Sequence, residues 1–181
     1  MALTQLAHQI IQEHFNHLPK KLAVDATVGN GHDCEFLLRQ KFKQVVGFDI
    51  QQKAIDATRH RLKLARLADI ELIKDGHENM HSYINGLIDC CMFNFGYLPK
   101  ADKQITTQTK TSLIAIDAAV KLLNTNGLIS LMCYPGHDQG AIETQAIQHA
   151  LDGLDNSFMV KEYLGNNPSP TTPILYTVAR G

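Results

Sequence analysis

Residues 24–33, Val24-Asp-Ala-Thr-Val-Gly-Asn-Gly-His-Asp33, constrain this chain more than any other stretch. An apolar run, Lys21-Leu-Ala-Val24, delivers an acid, Asp25, and then a loop carrying Gly29 and Gly31. A helical segment follows, Cys34-Glu-Phe-Leu-Leu-Arg39, and a second strand, Gln44-Val-Val-Gly-Phe48, ends on Asp49. Strand, glycine loop, helix, strand and acid in this order form the unit that grips an adenosine-containing ligand. The glycines let the backbone approach it, and the second acid accepts hydrogen bonds from the ribose hydroxyls. The same residues also suit a plainer reading, a glycine turn that closes a buried strand beside a capping Asp.

A dinucleotide is a poor match. Its pyrophosphate calls for Gly-x-Gly-x-x-Gly, and here Gly29-Asn-Gly31 runs into His32, Asp33 and Cys34 without a third glycine. Asp25 beside the loop repels a diphosphate but suits a cation. S-adenosylmethionine meets these demands: a ribose for Asp49, an ammonium for the region of Asp25, and no phosphate. An NAD-dependent oxidoreductase is the rival that the missing glycine disfavours.

At 181 residues the chain is long enough for one domain with a sizeable core, and 44% hydrophobic with 19% charged residues is ordinary for a globular protein. No apolar run reaches the ~20 residues that span a bilayer, and the N-terminus lacks a secretory pattern, so a cytoplasmic protein with no membrane contact is expected. Cys34, Cys90, Cys91 and Cys133 show no Cys-x-x-Cys pairing and read as reduced, buried thiols. Nine histidines lack the spacing of a metal site, and none is expected. With a net charge of −1, nucleic-acid contact has to be local. The basic set Arg59, Arg61, Lys63 and Arg66 reads first as a solvated helix face.

The elements alternate without linker or repeat. Helices are expected over Thr4–Asn16, Gln52–Leu67 (Ile55, Leu62 and Leu64 inward), Thr111–Leu123 and Gly140–Leu151. Strands are expected near Ile70–Ile73, at Leu87–Phe93 (apolar enough for a strand buried on both faces), and at Leu128–Cys133, Phe158–Leu164 and Pro173–Ala179. The fold class expected is α/β: a Rossmann-like, doubly wound, mainly parallel seven-stranded sheet with a C-terminal antiparallel hairpin. The first and last of these helices also suit a homodimer face.

Each informative loop follows a strand, where open α/β sheets bind ligands. Asp75-Gly-His77 is placed to meet an adenine, with His77 stacking, or is a tight turn. Asn94-Phe-Gly-Tyr-Leu-Pro99 has an acceptor for amine hydrogens and, three residues on, an aromatic to stack on a base. It resembles the Asn/Asp-Pro-Pro-Tyr tetrad of amino-group methyltransferases, with Phe95-Gly96 in place of Pro-Pro; it also reads as a turn with an aromatic plug.

Asp25–Asp33, Gly47-Phe-Asp-Ile-Gln51, Asp75-Gly-His77, Asn94–Pro99 with Asp102-Lys103, Ile105-Thr-Thr107 and Tyr134-Pro-Gly-His137 together resemble one family over nearly the whole chain. It is the small family first labelled rRNA methylases and now associated with MnmM-type tRNA wobble-uridine methyltransferases. Lys100-Ala101 stand where that family usually has two glycines, and the tail reads Asn167-Pro-Ser-Pro where a Pro-Pro step is common. The resemblance implies the SAM-dependent methyltransferase fold, S-adenosyl-L-methionine as donor, the tRNA anticodon stem-loop as partner, and methylation of the amine of 5-aminomethyl-2-thiouridine. An rRNA or small-amine substrate, or a non-catalytic SAM-binding module, are the alternatives.

Taken with the residue chemistry, the expected cofactor contacts are Asp25, Val28, Gly29, Asn30, Gly31, Asp49, Gln51, Gly76, His77 and Asn94. The expected catalytic residues are Asn94, Tyr97 and Asp33, with Asp33 the favoured proton acceptor over His32 and His137, and alternatively the N-cap of its helix. Substrate contacts are expected from Tyr97, Lys100, Lys103, Thr106, Thr107, Tyr134 and His137.

Overall fold

The computed structural model describes residues 2–96 and 107–181. The chain runs α1 (Leu3–His14), β1 (Leu22–Asp25), α2 (His32–Arg39), β2 (Gln44–Phe48), α3 (Gln52–Leu64) and β3 (Ile70–Ile73). A 3-10 segment (His77–Ser82), β4 (Ile88–Asn94), α4 (Thr109–Leu122), β5 (Leu123–Cys133), α5 (Asp138–Asp152), β6 (Phe158–Leu164) and β7 (Ile174–Arg180) complete it. The seven strands form one sheet in the order β3-β2-β1-β4-β5-β7-β6. The first five are parallel, and β7 pairs antiparallel to both β5 and β6. The order reverses between β1 and β4, so the crevice at their carboxyl ends is the natural ligand site.

The two-residue period of the strands sorts side chains to two faces. Val24, Val46, Phe48, Cys91, Phe93, Ile129 and Leu131 join Met80, Ala115, Ala119 and Ile147 in the larger core, under the 3-10 segment, α4 and α5. Ala23, Val45, Cys90, Met92 and Leu128 meet Ile11, Phe15 and Leu37, under α1 and α2. Strand β4, central and buried along nearly its full length, belongs to both. All four cysteines are free and buried.

Two expectations about elements are corrected. Leu64 does not face inward: it is 72% exposed, whereas Ile55 and Leu62 are buried. Two residues past Leu62 is about 200° around the helix, which is the opposite face. Strand β5 starts at Leu123, directly after α4, rather than at Leu128. Leu123 pairs with Ile88, and a register shift precedes the Cys90–Leu128 pair. Asn126 takes a positive φ of 62° there, and the Asn124 side-chain amide donates to Asp89, tying the irregular stretch to β4.

Candidate active site

At the carboxyl end of β1 the chain turns through Gly29 (φ 53°) and Gly31 (φ 76°), both left-handed. A Cβ on Gly31 would lie 2.6 Å from Thr58 Oγ1, so α3 packs against the bare backbone. The place of the third dinucleotide glycine is taken by Cys34, which packs with Val28 and Leu62. Its thiol donates to Asp25 Oδ2 over 3.0 Å, while the Thr27 N–H donates to Asp25 Oδ1. Asp25 is fully buried; burial first, then the charge of Asp33, push its carboxyl up to about 7. It lies beneath the loop with both oxygens engaged.

Asp49 directly follows β2 and closes the loop from the other side. Its Oδ2 accepts from the Gly29 N–H and its Oδ1 from the Gln51 N–H, both at 2.9 Å. A carboxylate has roughly four acceptor sites, so two remain for a vicinal diol. The next residue, Ile50, is 59% exposed, an apolar surface of the kind a purine covers, and the sequence motifs did not single it out. Val28 is buried with its N–H on Phe48 O. Asn30 is exposed and its carbonyl accepts from Arg61, which also reaches Glu35 and His32. The glycine loop, the free acceptor capacity of Asp49 and the acid-rich surroundings fit an adenosine ligand carrying positive charge and no phosphate.

The third wall is the loop after β3. Asp75 accepts from Gly76 N–H, Asn79 and the Tyr83 hydroxyl, and these bonds hold its carboxyl below the usual range. Gly76 and His77 are buried. The His77 ring packs T-shaped against Phe93 and Phe95. Its Nδ1 lies 3.1 Å from the Ala26 carbonyl, which makes Nδ1 the protonated nitrogen, and burial pushes its pKa down.

At the switch point, Asn94 ends β4. Its backbone N–H donates to Thr27 Oγ1 over 2.7 Å, and its Nδ2 donates to Asp33 Oδ2 over 2.6 Å. A carboxylate accepts only, so the amide orientation is fixed and Oδ1 is turned away from Asp33. Asp33 is not the N-cap of α2; Gly31 occupies that position without a side-chain cap. Instead Asp33 Oδ1 meets His8 Nε2 of α1, also at 2.6 Å. Nothing local in the sequence pointed to His8 or Thr27. Tyr134, half-buried, has its hydroxyl pKa raised by burial and by the charge of Asp33, and its ring lies where a side chain on Gly96 would reach.

The other expected substrate residues divide. Tyr97, Lys100, Lys103 and Thr106 lie outside the described residues. Thr107 pairs with Gly96: its N–H donates to Gly96 O, and its hydroxyl accepts from the Gly96 N–H. That hydroxyl donates to Glu143, a buried acid of α5 that also takes the Ser112 hydroxyl. Thr107 is thereby tied to the interior. His137 caps α5, its Nδ1 accepting from the Gly140 N–H. No group of three or more possible metal ligands occurs among the described residues.

Sheet order and site define the class: a SAM-dependent methyltransferase fold, with the glycine loop, the acid after β2 and Asn94 gathered at the switch point. The model of the family described as "Putative rRNA methylase" matches residues 45–179, and the chain belongs to that family. A structure from Clostridium thermocellum, described as a "putative rRNA-methylase", is 37% identical, with a TM-score of 0.87 over 95% of this chain and 97% of that one. A "putative methyltransferase" of Streptococcus mutans in complex with SAH is 32% identical, also at 0.87, covering 100% of this chain and 99% of that one. The chloroplastic tRNA (mnm(5)s(2)U34)-methyltransferase of Arabidopsis thaliana is 33% identical over 168 residues. That match takes in 83% of this chain and 59% of the plant protein's length.

Proposed function

We propose that this protein methylates the exocyclic amine of 5-aminomethyl-2-thiouridine at the wobble position of tRNA, with S-adenosyl-L-methionine as donor. The observation that carries this reading is the Asp33–Asn94 hydrogen bond at the switch point, which turns an amide oxygen outward as an acceptor for amine hydrogens. The activity of the plant relative supports the choice of amine and of RNA. When bound, the donor supplies an electrophilic sulfonium methyl group. Asp49 and the backbone at Gly29 and Gly31 hold its adenosine.

An alkyl amine is protonated near pH 7 and cannot attack until it gives up a proton. Asp33 takes that proton, and Asn94 Oδ1 keeps a remaining amine hydrogen and so aims the lone pair. The secondary amine leaves protonated, and Asp33 returns its proton to solvent. A wobble base in a single-stranded loop is already unpaired and costs little to capture. The test is methyl transfer from labelled donor to tRNA with and without the aminomethyl group, read by nucleoside mass spectrometry. Product on the aminomethyl tRNA alone is expected; product on unmodified tRNA or rRNA instead overturns the substrate.

A further inference from the structure

We propose that His8 is a positioning residue of this site: through Asp33 it fixes the amide of Asn94. The proposal rests on the function above. Asp33 is approached from two directions, by Asn94 Nδ2 at its Oδ2 and by His8 Nε2 at its Oδ1, both over 2.6 Å. A carboxylate with one partner still turns about its last torsion, which is broad for Asp. Partners on both oxygens stop that turn. The partners come from distant parts of the chain: His8 from the N-terminal helix, 25 residues before Asp33, and Asn94 from the central strand, 61 residues after it.

The imidazole is itself held. It stacks on Phe36 of α2, with centroids 3.8 Å apart and planes 1° from parallel. Helix α1 does not need it for anchorage, since Ala7 and Ile11 fill the core on that side and the His8 side chain remains 30% exposed. What His8 adds is a hydrogen-bond donor at a fixed point, passed along as His8 to Asp33 to the Asn94 amide. Without it, Asp33 turns and the Asn94 amide loses the reference that faces Oδ1 toward the amine.

The experiment compares His8→Ala and His8→Gln, the latter because its Nε2 donates near the place of the imidazole Nε2. Measured are kcat and KM on aminomethyl tRNA and the Kd for SAH by calorimetry. For His8→Ala, kcat is expected to fall about 10–100-fold, the scale of a misplaced reacting group, with KM and Kd within twofold. His8→Gln is expected to recover most of the rate. An unchanged kcat in His8→Ala, or equal losses in both variants, overturns the proposal. Should wild type make no product, the proposed substrate fails, and the side-chain amide resonance of Asn94 in the SAH-bound protein decides the role of His8. Its displacement in His8→Ala and return in His8→Gln support the role; an unmoved signal overturns it.

Discussion

Asn94 donates its side-chain amide to Asp33 over 2.6 Å across 61 residues of sequence, joining the end of β4 to the first turn of α2. The bond converts the last residue of a strand and a first-turn helix residue into one directed acceptor. Replacing Asn94 by Ala is expected to lower kcat about 100-fold, the scale of a lost positioning contact, while SAH affinity stays within a few fold. Single-turnover kinetics with calorimetry measures both. Wild-type turnover in that variant would remove Asn94 from the chemistry.

Asp49 braces the glycine loop, accepting from Gly29 and Gln51, and keeps acceptor capacity for a diol. Hydrogen bonds to a charged group are worth about 1.5–3 kcal/mol each, so losing two weakens binding by about 100-fold or more. Asp49→Ala is therefore expected to abolish measurable SAH binding at micromolar concentrations. Retention of wild-type affinity would show that Asp49 only braces the backbone.

Much of the fold, and the coming together of Asp25, Gly29, Gly31 and Asp49, was legible in sequence because the relevant signals are local. The Asp25 to Asp49 unit has fixed spacing within one β-α-β crossover, and the ends of β3 and β6 coincide with breaks in apolar pattern. What escaped is non-local. His8 reaches Asp33 only because α1 packs across the sheet, and Glu143 meets Thr107 across 36 residues. Leu64 shows the opposite limit: apolar character near Ile55 and Leu62 suggests an inward position, while the helix angle turns it to solvent.

The carboxyl of Asp25 sits near 7 in the fold against 3.8 for a free Asp. Because the folded value is raised, the contribution of Asp25 to stability is full below about pH 3.8 and is lost as pH rises toward 7; beyond that it is flat. Three units correspond to ~4 kcal/mol, an upper figure because the site can relax. Asp25→Asn is expected to cancel this trend. Urea unfolding of both proteins between pH 4 and pH 8 checks it: wild type loses stability relative to the variant as pH rises, and parallel curves refute the assignment.

Glu143 gives the last test, of how the far side of the Asn94 loop is held. It is 3% exposed, and its two oxygens accept from the Thr107 and Ser112 hydroxyls at 2.8 and 2.6 Å. Thr107 in turn clasps Gly96 through two bonds, so one acid on α5 fixes the backbone two residues past Asn94. In Glu143→Gln one acceptor becomes an amide that faces a hydroxyl donor, and that hydroxyl must turn around to accept. If Thr107 turns, it loses the geometry that receives the Gly96 N–H. The expected cost is about 1–3 kcal/mol of stability, the range for a disturbed buried hydrogen bond. Because Gly29, Gly31 and Asp49 lie on other elements, SAH affinity is expected to hold while KM for tRNA rises severalfold. Denaturant unfolding with steady-state kinetics separates the two: a stability loss with unchanged KM would make Glu143 a support of α4 and α5 alone, with no bearing on substrate binding through Thr107 and Gly96.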